Sequence, residues 1–194
     1  KMFFINVSFT SLPINNVTGF TPFRKGVFEA DEPDYSEFDG RILAVLEKCP
    51  DVMIFPRINI SMPKRWINEN TEETVATVNG GNRESLYSEK FLEDGGRLLK
   101  EMVSHIRSSS YSGSVAGYQL CGGTTQEWMH HDMFGSFSEK GLEGFRTWMK
   151  EKYGCEMPSL AQMDADRSLE LKVVKFAEFS LSFAASHEGC LPLM

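Results

Sequence analysis

The sequence predicts an α/β fold in which parallel strands are joined by crossover helices. Three observations predict it. Short runs near residues 3–9, 52–61 and 115–121 read as strands, the first two with faces that alternate at period two and the third a short apolar run into a glycine-rich turn. Between and after these runs the apolar spacing changes to a helical period. The resulting order is strand–helix–strand–helix–strand–helix–helix, and alternation of that kind builds right-handed crossovers onto a parallel sheet. A closed (β/α)8 TIM barrel takes about 250 residues. With 194 residues and three convincing strands, the expectation is a single domain over 1–194 that forms a partial barrel.

In the first strand Phe3, Ile5, Val7 and Phe9 point one way and Phe4, Asn6 and Ser8 the other. Residues 10–33 carry Pro, Gly and Asn and read as a long loop. Asp34 or Ser36 caps the first helix, with Asp39 in its first turn and Phe38, Ile42, Val45 and Leu46 on its apolar face. The second strand has two unlike faces. Val52, Ile54, Ile58 and Ile60 suit packing under helices, whereas Met53, Phe55, Arg57, Asn59 and Ser61 turn polar toward the C-terminal end. That is the pattern of a barrel strand whose inward side chains enter a site at the C-terminal mouth. Pro56 predicts a bulge or an edge position there.

Residues 62–87 read as a loop in which Thr74–Val78 can form a small strand. Ser88 caps a helix with Phe91, Leu92, Leu98, Leu99, Met102, Val103 and Ile106 on one face. The third strand, 115–121, runs into Gly122-Gly123-Thr124-Thr125-Gln126-Glu127-Trp128. After a loop at 129–137, Ser138 caps a helix bearing Leu142, Phe145, Trp148 and Met149, which Gly154 stops. A last helix is expected over about 165–187.

Composition excludes several function classes. The net charge is −7 and the basic residues are scattered, so neither nucleic acid nor an anionic membrane is an expected partner. No apolar run reaches the roughly 20 residues that span a bilayer. The four cysteines lie far apart without a C-x-x-C pair, against a zinc site or a disulfide scaffold. His130-His131 has no third ligand at metal spacing, and Gly122-Gly123 lacks the Lys-Ser/Thr ending of a phosphate loop. No cofactor or metal is therefore expected. Sequons at Asn6, Asn16 and Asn59 carry little weight, because two lie in predicted strands. The chain opens Lys1-Met2, which leaves its natural start open, and its composition does not choose between cytoplasm and secretion.

Several segments together resemble glycoside hydrolases of the β-galactosidase type, family 42 and its relatives in the large clan of (β/α)8 barrels. They are Asp34-Tyr35-Ser36-Glu37-Phe38-Asp39 at a helix start and Pro63-Lys64-Arg65-Trp66 after a strand. With them go Gly117-Tyr118-Gln119 followed by Gln126-Glu127, and Phe145-Arg146-Thr147-Trp148-Met149-Lys150-Glu151-Lys152-Tyr153-Gly154. The resemblance spans about residues 34 to 160. It implies a carbohydrate substrate, early barrel strands at Met2–Phe9, Val52–Ser61 and Val115–Cys121, and Glu127 as the general acid/base. The sequence departs from the family in having Gln126 where the family has Asn, and in extra residues around Gly122–Thr125. The family nucleophile, on the seventh strand, has no counterpart up to Met194. The expectation is the N-terminal half of a retaining glycosidase barrel, inactive alone. It would be completed by a missing C-terminal half or covered by a second copy. The alternative is a non-catalytic carbohydrate-binding or scaffold protein.

For Glu127 the competing reading is an ordinary loop carboxylate. Arg57, Asn59, Gln119 and Gln126 are candidates to bind sugar hydroxyls or orient the glutamate, or else to satisfy loop carbonyls. Trp66 and Trp128 are candidates to stack on a sugar face, or else pack as any large apolar ring does.

Overall fold

The computed structural model describes residues 1–13, 25–77, 81–123, 128 and 139–154. The chain divides into two compact units, Lys1–Ser136 and Phe137–Met194. The first contains a parallel three-stranded sheet made of β1 (Met2–Ser8), β2 (Met53–Asn59) and β5 (Gln119–Cys121), in the order β1-β2-β5. The chain between β1 and β2 contains α1 (Ser36–Lys48). That between β2 and β5 holds α2 (Lys64–Glu69), a hairpin of β3 (Thr74–Ala76) and β4 (Asn82–Glu84), and α3 (Glu89–Ser108). This is the α/β arrangement of a partial barrel, as the alternating periods predicted.

Both long strands present the two faces that their sequence demands. On the helix side Ile5, Val7 and Phe9 of the first run meet Ile54, Ile58 and Ile60 of the second, all buried. Phe38 and Ile42 of α1 are buried too, as are Phe91, Leu92, Leu98, Met102 and Ile106 of α3. Phe3 departs from its expected set. At the N-terminal end of β1 it is 50% exposed.

Pro56 corrects an expectation, since it lies in the central strand and in continuous register opposite Ile5. The reason lies in the direction of its missing N–H. Around β2, Met53 N–H donates to Lys1 and the Asn59 carbonyl accepts from Phe9, so odd residues face β1. Ile54 accepts from Ala116, and Ile60 donates to Cys121, so even residues face β5. Pro56 thus faces β5 between an isolated bridge, Ile54 to Val115, and the first pairing of β5, Arg57 with Gln119. Residues 116–118 are not strand there, so the ladder asks for no donor. This also shortens the third strand from the expected 115–121. Gly117 sits in the gap, and a Cβ on it would come 3.0 Å from the Phe55 ring.

The segment read as a loop after β2 is more structured than expected. Pro63 opens α2, whose Trp66 and Ile67 are buried, and Thr74 begins the β3–β4 hairpin. A single short turn of helix offers too little periodicity to show in sequence. At α3 the expected cap is in place, with Ser88 Oγ accepting from Phe91 N–H at 2.9 Å. At α1 Asp34, two residues before the helix, accepts from Ser36 N–H at 3.0 Å, while the N-cap residue Tyr35 makes no side-chain cap bond.

A polar clamp ties α1 to α3. Asp39 accepts from the Tyr111 hydroxyl at 2.5 Å, and its oxygens lie 2.9 and 3.0 Å from His105 Nε2. The His105 ring stacks on Tyr35 at 3.7 Å with planes 7° apart, and the Tyr35 hydroxyl reaches Glu101 at 3.5 Å. In the second unit, α4 (Glu139–Tyr153) buries Leu142 and Phe145, and Trp148 stacks on Phe145 at 5.9 Å. Gly154 ends the helix at φ +64, a conformation that favours glycine. The proposed Ser138 cap and the helix at 165–187 lie outside the described residues.

Two outcomes are expected. A Cβ on Gly26 would lie 2.4 Å from backbone atoms of Thr10, so Gly26→Ala forces the β1 loop off the strand. Urea denaturation will show a loss of about 3 kcal/mol. An unchanged midpoint would contradict the close crossing. The clamp gives an alkaline signature. Burial first, then the neighbouring carboxylates, raise Tyr35 from 10.0 to about 12, and burial and Asp39 raise Tyr111 further. The folded chain therefore holds these protons more tightly than the unfolded chain. Stability is full below pH 10.0 and falls as pH rises through about 12. Tyr111→Phe will cost about 1.5 kcal/mol at neutral pH and flatten that fall in a melting-temperature series.

Candidate functional site

Because β1, β2 and β5 are parallel and in phase, their inward side chains form rows across the sheet. Met2 pairs with Met53, and Phe4 with Phe55, whose rings lie 5.3 Å apart. The next row is Asn6, Arg57 and Gln119, and the last is Ser8, Asn59 and Cys121. The inner face thus runs from apolar at the strands' N-terminal ends to polar at their C-terminal ends. Paired residues point to the same side of a sheet, so three strands bring these side chains together without any help from loops.

Within the last row Asn59 is fully buried. Its Oδ1 accepts from Ser61 N–H at 3.1 Å and from Ser8 Oγ at 3.4 Å. Ser8 Oγ in turn accepts from Thr10 N–H at 3.3 Å. Full burial also removes the Asn59 sequon from consideration, since a glycan cannot be carried inside the core. Cys121 lies beside Arg57. Burial pushes its thiol up to about 11 although Arg57 pulls the other way, so it stays protonated near neutral pH and is a poor nucleophile.

Loops complete the mouth with residues that sequence reasoning missed. Glu29 takes the Thr10 hydroxyl at 2.6 Å, Ser11 N–H at 2.5 Å and Lys64 N–H at 3.4 Å, stitching the β1 extension to the start of α2. The hairpin supplies Arg83 and Glu84, both buried. Glu84 Oε2 accepts from Met62 N–H at 3.2 Å, and Arg83 Nη1 donates to the Pro13 carbonyl at 2.6 Å. The available signal was an Arg-Glu pair in a segment bounded by Gly80-Gly81, which reads as surface loop.

The sequence-expected residues fare unequally. Arg57 and Gln119 are brought together as direct register partners, with Asn59 in the adjoining row. Trp66 instead packs between helices, 8% exposed, with its indole N–H donating to Asp94 at 2.8 Å. Its low exposure and its bond to Asp94 fit the packing reading. Trp128 folds back on the end of β5. Its N–H donates to the Gly122 carbonyl at 2.9 Å, and its indole N–H reaches the Leu120 carbonyl at 3.3 Å. Trp128 holds φ 59, a left-handed backbone that a bulky side chain adopts only when its surroundings compel it. Gln126, Glu127 and His130-His131 lie outside the described residues. Among the described residues no group of three His, Cys, Asp or Glu is placed to hold a metal ion.

The Trp128 ring rests on Gly122, where a Cβ would come 3.1 Å from Cζ3. Gly122→Ala is expected to push the ring off its seat at a cost of about 1–2 kcal/mol, with a shift in tryptophan emission. Emission and stability both equal to wild type would show that Trp128 is not held there.

No family model and no curated protein matches the chain. Among solved structures, the β-galactosidase of the psychrophilic Marinomonas ef1 is similar, with a TM-score of 0.51 at 18% identity. The match covers 98% of this chain and 36% of that one, so the chain spans little more than a third of the length of that enzyme. The likeness is one of fold: the chain has the parallel strand-and-helix arrangement of a glycosidase.

Proposed function

We propose that the chain belongs to a glycoside hydrolase, β-galactosidase-like and close to family 42, and supplies the first strands of its catalytic (β/α)8 barrel. The observation that carries this reading is the gradient of the inner face. Rows of Met and Phe give way to Asn6–Arg57–Gln119 and Ser8–Asn59–Cys121 at the C-terminal ends of parallel strands, where barrel enzymes act. The likeness in fold to a β-galactosidase and the sequence pattern around Gln126-Glu127 support it.

In this reading Glu127 protonates the leaving glycosidic oxygen and then activates water. A second carboxylate, about 5 Å away, attacks the anomeric carbon. Arg57, Asn59, Gln119 and Gln126 bind sugar hydroxyls or hold the glutamate in position, and Trp128 stacks on the apolar face of a sugar ring. That second carboxylate would come from a later barrel strand. The 194 residues alone are then a sugar-binding unit without turnover.

Chromogenic aryl glycosides give the test. The purified chain is expected to release no aryl alcohol above the uncatalysed rate. Turnover that disappears in Glu127→Gln would overturn the view that the nucleophile lies elsewhere while supporting Glu127 as the acid.

A second reading, a carbohydrate-binding protein on a barrel that has lost its chemistry, is favoured by Gln126 in place of the family's Asn and by the inserted Gly-Gly-Thr-Thr. A longer parent chain that binds sugar and cleaves none of the glycosides would decide for it.

A further inference from the structure

Among the described residues, several buried donors near the strand ends have no hydrogen-bond partner. Arg83 is 3% exposed and spends Nη1 on the Pro13 carbonyl, while its Nε and Nη2 have no hydrogen-bond partner. The nearest carboxylate oxygen, Glu84 Oε2, is 3.5 Å from Nε, close enough for charge contact but too poorly placed for a hydrogen bond, and it already receives Met62 N–H. Asn59 Nδ2, Arg57 Nε and Ser61 Oγ are likewise buried without a partner. Asn59 points its amide this way because Oδ1 is committed to Ser61 and Ser8.

Strand order and loop tethers relate these groups to one another. Arg57, Asn59 and Ser61 follow one another on the inward side of β2 and its extension. Arg83 and Glu84 are moored to the segments that leave β1 and β2, at Pro13 and Met62. Glu29, another carboxylate among the described residues, is taken up by Thr10, Ser11 and Lys64.

The chemistry of the set names its ligand. Apart from the Ser61 hydroxyl, every unpartnered atom is a donor only. A sugar hydroxyl accepts but brings a proton that needs an acceptor in turn. A carboxylate brings about four acceptor sites and no proton. On a guanidinium, Nε–H and Nη2–H lie along one edge, the fork that receives a carboxylate with two parallel bonds. With Nη1 anchored, that edge of Arg83 is the one left over.

We propose that this mouth recognises an acidic sugar, with Arg83 gripping the carboxylate of a uronate through Nε and Nη2 and with Asn59 and Arg57 donating beside it. The proposal rests on the carbohydrate reading above and narrows it to a substrate class. Arg83 is then a specificity residue, supplied by the hairpin and not by the barrel strands.

The test titrates the 194-residue chain with D-galacturonate, D-galactose and sulfate, following amide shifts by NMR. The two sugars differ only in oxidation at C6. Galacturonate is expected to bind at least about tenfold more tightly than galactose, and Arg83→Lys, which keeps the charge but loses the fork, to remove that preference by weakening galacturonate binding far more than galactose binding. Should Arg83→Lys fail to fold, the wild-type preference itself still decides, and Ser61→Ala tests the same cluster with a smaller change. Equal affinity for the two sugars overturns the acidic-sugar proposal and leaves the glycosidase reading standing. Sulfate binding without either sugar overturns both, as does the absence of any binding.

Discussion

The structure depends on one constraint, the in-phase parallel register of β1 and β2. Seven consecutive pairs run from Met2 with Met53 to Ser8 with Asn59, without a bulge. Side chains alternate with period two, so a slip of one residue would exchange every core position for a lumen position. Ile5, Val7, Ile54 and Ile58 would leave the helix layer, and Asn6 and Arg57 would enter it. The apolar side of the sheet therefore fixes the register, and the register in turn places the polar rows. The apolar core is vested in one face of each strand and the polar rows in the other.

That division explains how the mouth tolerates an arrangement that would be costly in a core. A buried donor without a partner costs about 1–3 kcal/mol. Arg83, Asn59 and Arg57 bear such donors, yet each is fixed by a bond that does not consume the free group or by its place in the ladder. Arg83 is held by Pro13, Asn59 by Ser61 and Ser8, and Arg57 by pairing with Asn6 and Gln119. Glu29 and Glu84 do the same for the loops, each receiving backbone N–H groups from a segment that follows a strand. In the acidic-sugar proposal, such preorganisation would spare the ligand the cost of arranging the groups that receive it.

The strands and the polar face of β2 were legible because a period of two needs only a few residues to declare itself. Val52 to Ser61 states both its helix side and its lumen side. The long helix α3 was legible because its 20 residues repeat the helical period several times, and Ser88 marked its start. Pro56 reads in sequence as a break in the ladder because only the strand order shows which neighbour its missing donor would face. Arg83, Glu84 and Glu29 were hidden because their roles are set by long-range contacts, with Pro13, Met62 and Thr10, that leave no local period. Trp66 and Trp128 look alike in sequence. Only their partners, Asp94 for one and the Gly122 backbone for the other, separate a packing ring from one seated at a strand end.

The carboxylates of the mouth bear on the two-carboxylate requirement of glycoside cleavage. A nucleophile needs an oxygen free to approach an anomeric carbon. Glu84 spends Oε2 on Met62 N–H and lies against Arg83. Glu29 spends Oε1 on Thr10 and Ser11, and Oε2 on Lys64. Both are structural acceptors whose withdrawal would leave backbone donors unpaired beside the strands they secure. If Glu127 is the acid/base, neither of these two is suited to act as its partner. The chemistry then requires a carboxylate other than these two, placed at the C-terminal level of the row Ser8–Asn59–Cys121.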